Sequence, residues 1–369
     1  MNLNTLSSVY IHIPFCSNIC NYCDFCKIYY HKKYISLYLD NLEKEIKSRY
    51  RGEKIDTIYI GGGTPSSLDT LELKRLFEII KIFNFNDEIE FTIEANIENI
   101  TLEKAKLFIK NKVNRISLGV QSFNKDNLKI LGRNHTKEEI YEKINLLKEV
   151  GFKNINIDLI YGINSNLDIV KEDIDNFLKL DISHISCYSL ILEDNTILKI
   201  NNFNQIDEDT DYEMYNYIET KLKEHNYLHY EISNYAKAGY LSKHNLNYWN
   251  NGYYYGFGLS AVSFIDNYRI ENTKNLTKYL KGYYVENSNY EDIQTRMETD
   301  IILSLRKIEG ININNFNQKY NINFYDICNV DKLISEEKIL IEKDYLKINL
   351  KYLYVMNDII IELLEGVKI

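Results

Sequence analysis

The stretch Val9-Tyr10-Ile11-His12-Ile13-Pro14-Phe15-Cys16-Ser17-Asn18-Ile19-Cys20-Asn21-Tyr22-Cys23-Asp24-Phe25 decides how this chain reads. Val9 to Ile13 is a short β-like run that delivers the chain directly into three cysteines spaced C-x-x-x-C-x-x-C. Half of the six cysteines therefore fall within this one short segment. Free thiols commonly behave as small hydrophobes, but this clustering is a metal-ligand spacing. Structural zinc usually takes four Cys or His ligands from paired knuckles, and no second knuckle follows downstream. Iron–sulfur clusters are normally held by four thiolates, so a cubane held by three leaves one iron free for an exchangeable ligand. Cys26 is the local candidate for a fourth ligand and is read as a non-ligand. Cys16, Cys20 and Cys23 are read as the metal-binding set.

Working outward, short β-rich runs alternate with helical patterns through the first half of the chain, the mark of repeated βα units on a parallel sheet. Strands are expected near Val9 to Ile13, Ile55 to Gly61, Ile89 to Glu94, Arg115 to Val120, Asn154 to Tyr161 and His184 to Leu190. Helical stripes lie between them, such as Tyr34, Leu37, Tyr38, Leu42 and Ile46, and Ile140, Tyr141, Ile144, Leu147 and Val150. Gly151 is placed to cap the latter, because glycine tolerates positive φ. Six such units are too few for a closed eight-stranded barrel, so the α/β fold expected is an open, partial barrel. Past Asn201 the alternation stops. A helix near Asp209 to His225, a strand-like His229 to Ala236 and a glycine-punctuated aromatic stretch follow. From about Asp292 a small, mainly helical domain with some strand is expected. The organisation is thus 1–200 barrel with cluster, 201–291 barrel extension and 292–369 C-terminal domain.

The 369 residues suit one large domain plus a smaller one. With Lys+Arg 44 against Asp+Glu 53 the net charge is −9, which gives no global attraction to nucleic acid or anionic membrane. The hydrophobic content of 45% supports a folded globule rather than disorder. Residues 1–10 lack a basic and apolar targeting pattern, and no apolar run approaches the ~20 residues of a membrane span. A reducing, cytoplasmic setting is expected, because clustered cysteines in a long chain do not read as a disulfide framework. The 32 tyrosines are read as packing residues.

Gly61-Gly62-Gly63-Thr64-Pro65 follows the second expected strand, where parallel α/β folds collect ligands. Three glycines let a backbone approach a ligand closely; a tight strand-to-helix turn is the plainer use of the same residues. Glu94 closes the third strand and Asp158 lies inside the fifth. A carboxylate in an apolar strand is costly unless it is paired or faces a polar cavity, which leaves a buried ion pair with Arg115 or Arg133 as the alternative to ligand binding. His244-Asn245-Leu246-Asn247-Tyr248-Trp249 contains the only tryptophan. Histidine is a good axial ligand for haem iron, although a histidine among aromatics is more often a packing residue.

The cysteine spacing, the preceding Y-I-H-I-P-F and the following Y-C-D-F resemble the radical S-adenosylmethionine (SAM) proteins. Within these, the likeness is to the group of oxygen-independent coproporphyrinogen III oxidases and HemW-type haem chaperones, and it runs from Tyr10 to about Phe264. It implies a (βα)6 arrangement, a 4Fe-4S cluster whose fourth iron chelates SAM, and reductive cleavage of the sulfonium when an electron enters the cluster. It also implies that Tyr10, Gly62, Gly63, Thr64, Glu94, Gln121 in S117-L-G-V-Q-S-F, Arg133 in L131-G-R-N-H and Asp158 line the cofactor, with the glycine loop against its amino group. H-N-x-x-Y-W looks like the chaperones' element, in which the histidine, here His244, is implicated in haem binding.

Two functions from different classes remain, an enzyme and a carrier. The oxidases resemble C-x-x-x-C-x-x-C-x-C, whereas Phe25 stands at the position of that last cysteine, and they carry a longer N-terminal segment where only fifteen residues precede Cys16 here. The carrier reading is preferred: haem bound and passed to a haem-accepting protein, with an electron donor, no nucleic acid, and peripheral contact with membrane-bound acceptors. Cys26, and Ile163-Asn164 where Leu-Pro commonly follows Y-G, depart from the chaperone pattern.

Overall fold

The computed structural model describes residues 6–365; residues 1–5, read above for a targeting pattern, and 366–369 lie outside the described residues. Six βα units are built as the sequence predicts. They are β1 (Ser8–Ile13), α1 (Lys32–Arg49), β2 (Thr57–Gly62), α2 (Thr70–Ile80), β3 (Glu90–Asn96), α3 (Leu102–Lys110), β4 (Arg115–Gln121), α4 (Lys137–Val150), β5 (Asn154–Tyr161), α5 (Leu167–Leu180) and β6 (His184–Ser189), followed by α6 (Glu208–Glu224). The helices carry their own start and stop signals. Asp69 with Glu72, and Thr136 with Glu139, form capping boxes on α2 and α4, and Gly151 ends α4 in the left-handed region at φ 114°.

Residues 228–236 form two strands rather than one. β7 (Leu228–Glu231) and β8 (Asn234–Ala236) are an antiparallel pair, with Ile232 and Ser233 making the turn. The helix α7 (Lys243–Trp249) then carries the H-N-x-x-Y-W element. Past it the glycine-punctuated stretch supplies a strand the sequence did not reveal, β9 (Tyr255–Phe257), which pairs parallel with β1. The large sheet has nine strands in the order β9-β1-β2-β3-β4-β5-β6-β8-β7, with seven of them parallel. Its order is open, with β9 and β7 at the two edges.

Each parallel strand alternates. Residues such as Val9, Ile11, Ile58, Ile60, Phe91, Ile93, Ile116, Leu118, Ile155, Ile157 and Ile185 join the apolar core shared with the helices. Their neighbours are Tyr10, Tyr59, Thr92, Glu94, Arg115, Ser117, Asn156, Asp158, His184 and Ser186, and register sets these side by side: Tyr10 pairs with Tyr59, Tyr59 with Thr92, Glu94 with Ser117, Ser117 with Asn156 and Asp158 with Ser186. Because strand side chains alternate faces, this places a polar surface on the concave side.

Next come the antiparallel strands β10 (Val262–Ile265), β11 (Tyr268–Asn272) and β12 (Val285–Tyr290), and then α8 (Ile293–Ser304). A second core follows, centred on Ile301, Leu305, Phe324, Leu333, Leu346 and Leu363. It covers the exposed edge of the large sheet: Ile232 N–H donates to Arg306 O at 3.1 Å, and Ile308 N–H to Tyr230 O at 3.2 Å. An edge strand left open would template pairing with other chains. Among the described residues no helix is long and apolar enough to cross a membrane.

Candidate cofactor site

A cavity of about 350 Å3 opens at the carboxyl ends of the parallel strands. Cys16, Cys20, Cys23, Gly62, Gly63, Thr64, Glu94, Gln121, Arg133 and Asp158 all line it, so ten of the twelve residues singled out from the sequence meet in one place. Tyr10 and His244 do not reach it.

The cysteine segment and the glycine loop are stitched together by backbone bonds. Gly63 N–H donates to Ile13 O and Thr64 N–H to Phe15 O, each at 2.9 Å, and the Thr64 hydroxyl points at Cys16 Sγ, 3.6 Å away. A Cβ at Gly63 would stand 2.7 Å from the Pro14 carbonyl and 2.8 Å from Cys16 Sγ, so no larger residue fits this crossing. Gly62 lies at φ +121°, which glycine alone adopts readily.

Burial pushes the Cys16 thiol up to about 11, with the Thr64 hydroxyl pulling partly back, and it raises Cys23 as well. Thiolates are the metal-binding form, so a metal here must displace protons. Among the described residues no three His, Cys, Asp or Glu side chains are grouped to hold a metal ion. The three thiols border the cavity instead, leaving room for a group with several irons. Cys26 is absent from that border. Its carbonyl accepts from His12 Nε2 at 2.8 Å, and its thiol lies beside Ser260.

Glu94 accepts from the Tyr59 hydroxyl at 2.8 Å on Oε1 and from Gly62 N–H at 3.1 Å on Oε2. Burial pushes its carboxyl up to about 7. The Tyr59 bond opposes this, the nearby Asp158 adds to it, and Gly62 N–H and Arg115 pull back. Asp158 is also raised by burial, against bonds from Ser186, Asn156 and Ser117. Among the described residues neither carboxylate forms an ion pair with Arg115 or Arg133. Arg133 instead sits 3.8 Å from Glu98 and donates from Nη2 to Gly119 O at 3.0 Å, while its buried Nε has no hydrogen-bond partner among the described residues. A Cβ at Gly119 would come within 2.4 Å of Arg133 Nη2. Gln121 is held at φ +70° where the β4–β5 register shifts. Buried Asp173 anchors the next residues, accepting from the Ser122 hydroxyl and Phe123 N–H at 2.7 Å each.

The donor set therefore fits a cluster carrying a charged amino-acid ligand. It offers three thiols, two carboxyls for cationic groups, and an arginine with an unsatisfied N–H. Sequence reasoning missed Tyr22, Tyr59, Asn96, Ser117 and Tyr188, which also line the cavity. Period-two spacing was the available signal, since Tyr59 precedes Gly61 by two and Ser117 precedes Gly119 by two.

His244 is 1% exposed at the other end of the strands. Its Nδ1 meets Thr57 Oγ1 at 2.8 Å, its Nε2 meets the Tyr248 hydroxyl at 2.9 Å, and its ring stacks on Tyr59. Burial lowers its pKa to about 3. Glu90, at the start of β3, holds the start of α7 by accepting from Lys243 N–H and His244 N–H at 2.9 Å each. Tyr10 lies beside Tyr59, its hydroxyl 3.0 Å from His12 Nδ1.

A three-cysteine cavity at the carboxyl ends of a partial parallel barrel defines a radical SAM protein, and the Radical SAM superfamily model matches residues 10–178. The fold matches coproporphyrinogen III oxidase of Escherichia coli at a TM-score of 0.86 and 22% identity, over 97% of this chain and 90% of that one. Among curated relatives, heme chaperone HemW of Lactococcus lactis is 39% identical over 340 residues, covering 90% of this chain and 88% of that protein. HemW of Bacillus subtilis is 36% identical over 330 residues, with 85% and 87% covered, and HemW of Escherichia coli 33% over 291, with 76% and 77%. The chain belongs to the HemW family.

Proposed function

We propose that this protein binds haem and hands it to a haem-requiring acceptor protein in the cytoplasm. Cys16, Cys20 and Cys23 would hold a 4Fe-4S cluster, and the cavity beside them would hold SAM as its exchangeable ligand. The observation that carries the reading is the likeness to relatives named heme chaperones across 90% of the chain. Phe25, where the oxidase pattern has a cysteine, supports it.

The cluster, when bound, supplies an electron to the sulfonium of SAM. The chain's own residues do the rest. Glu94 and Asp158 face cationic groups, Arg133 Nε offers a donor to a carboxylate or hydroxyl, and the glycine loop admits the ligand close to the backbone. Gln121 completes the set from the strand side, while Tyr10 packs behind it against Tyr59.

His244 is the proposed haem ligand, and its surroundings define what ligation requires. Its Nε2 must exchange Tyr248 for iron, and α7 must move relative to Thr57 and Tyr59. An external one-electron donor and an acceptor, including membrane-bound acceptors met peripherally, complete the proposed partners, with no nucleic acid.

Anaerobic reconstitution followed by haem titration at the Soret band is the test, with transfer to a haem-free acceptor as the second step. Tight binding lost in His244→Ala, with no turnover of coproporphyrinogen III, is the expected result. Sustained decarboxylation of that porphyrinogen makes the protein an oxidase and overturns the carrier reading.

A further inference from the structure

Tyr59 touches both the cofactor cavity and His244. It lines the cavity, and its hydroxyl donates to Glu94 Oε1 at 2.8 Å. Its ring lies against the His244 ring with centroids 5.1 Å apart and planes 28° from parallel. His244 is fixed in turn: Nδ1 by Thr57, two residues before Tyr59 on the same strand, and Nε2 by Tyr248 four residues along α7. Glu94 is then held from both sides, by Tyr59 and by Gly62 N–H. A continuous line runs from α7 through His244 and Tyr59 to Glu94 and the glycine loop, every link a packed ring or a hydrogen bond.

We infer that Tyr59 is a positioning residue which aims Glu94 at the cavity and is itself held in place by His244, so that the H-N-x-x-Y-W helix and the cofactor cavity are mechanically coupled. The inference rests on the reading of Glu94 as a SAM contact. A phenol free to turn about its Cα–Cβ bond would share its hydroxyl among several acceptors. The imidazole closes that freedom, and the hydroxyl is left with Glu94. Contacts of this kind carry coupling between sites because a packed ring has few alternative positions.

The coupling is read from SAM binding to the anaerobically reconstituted protein, by equilibrium dialysis and by the change SAM produces in the spectrum of the reduced cluster. Glu94→Gln is the control and is expected to weaken SAM at least tenfold. Tyr59→Phe keeps the ring and loses the hydroxyl, and is expected to weaken SAM about tenfold. Loss of that donor also moves the acid limb of the binding profile to higher pH, because the Tyr59 bond favours the ionised carboxylate. The other titratable groups facing Glu94 are Asp158, Arg115, Tyr10, Tyr188 and Tyr248, and all remain in Tyr59→Phe. A merely structural role would lower affinity without moving the limb.

His244→Ala, distant from the cavity, is expected to weaken SAM about threefold in the native background and not at all in Tyr59→Phe. His244→Phe, which restores a ring, recovers most of that loss, and melting curves on each variant establish that it is folded. Equal effects of His244→Ala in both backgrounds, or no effect in either, overturn the coupling while Glu94→Gln still weakens SAM. An unaffected Glu94→Gln instead overturns the reading of Glu94, and the inference with it.

Discussion

Replacing Gly63 by alanine adds a single carbon at the crossing of the cysteine segment and the glycine loop. Gly63 does not have positive φ, so alanine adopts its backbone conformation and the perturbation is purely steric. The new Cβ stands 2.7 Å from both atoms of the Pro14 carbonyl group, and 2.8 Å from Cys16 Sγ. Carbon contacts are comfortable from ~3.5 Å, so something must shift by about 0.8 Å. The loop cannot simply back away, since Gly63 N–H and Thr64 N–H tie it to Ile13 and Phe15. The movement therefore falls on Pro14 and the Cys16 thiol. Metal–ligand distances tolerate about 0.2 Å, and overpacking of this kind costs about 1–3 kcal/mol. A large barrel survives that cost, but a cluster ligand displaced several times its tolerance does not bind normally. The assay is iron and sulfide per chain after anaerobic reconstitution, with circular dichroism to establish the fold. Gly61→Ala is the matched control. The three atoms nearest its Cβ belong to the Glu94 and Tyr59 side chains, at 2.9 Å, and these can yield, so it takes up iron fully and binds SAM weakly. Full iron occupancy in folded Gly63→Ala would refute the argument that this crossing fixes the cluster ligands.

Cys26→Ser leaves iron and sulfide content unchanged, because its thiol does not border the cavity; a loss as large as that of Cys23→Ser would make it a ligand. Asp173→Asn changes how stability depends on pH. Burial pushes the Asp173 carboxyl up to about 7, so the folded state holds its proton more tightly than the unfolded chain, and this contribution declines as pH rises from about 4 through about 7. Asparagine keeps an acceptor for Phe123 N–H and does not ionise, so the melting temperature of the variant rises relative to the parent between pH 5 and pH 8; a constant difference across that range refutes the assignment. Tyr248→Phe removes the competitor for His244 Nε2 and strengthens haem binding roughly two- to tenfold, the value of one hydrogen bond. Weakened haem binding in a folded variant would show that Tyr248 serves the haem directly.

The βα repeat was legible because β-branched apolar runs mark the strands and apolar stripes at helical spacing mark the helices between them, with Gly151 closing α4. Asn154 to Tyr161 was bounded to the residue. Glu94 and Asp158 stood out because a charge in an apolar run demands a reason. Tyr59 and Arg115 sit on the same concave face and drew no such notice, for tyrosine is abundant in this chain and arginine was read only as a partner for carboxylates. The break between β7 and β8 went unseen because Ile232-Ser233 carries no glycine or proline. β9 was hidden for the opposite reason, as Gly252, Gly256 and Gly258 read as a loop. At Gly256 the glycine serves a close approach, since a Cβ there would lie 1.9 Å from Val262 O. It lets two chain segments pack together within ordered structure.

The alternation inside the parallel strands is the stronger signal of function. Parallel strands covered on both faces usually read as near-continuous hydrophobic runs, yet here each strand places a polar residue at every second position from Tyr10 and Tyr59 through Glu94, Ser117 and Asp158 to Ser186. Such a face is expensive in a core that side chains alone must fill, and the chain meets that demand with mutual bonds: Asn156 Nδ2 donates to Ser117 and Asp158 at 2.8 Å each and lies 3.1 Å from Ser186 Oγ, and His184 bridges Asn156 and Tyr230. At the carboxyl end this network opens into the cavity, whose lining includes Glu94, Asp158 and Arg133. At the other end His244 closes it, with both ring nitrogens engaged. The H-N-x-x-Y-W helix and the cofactor cavity, far apart in sequence, thus lie at the two ends of one packed polar network.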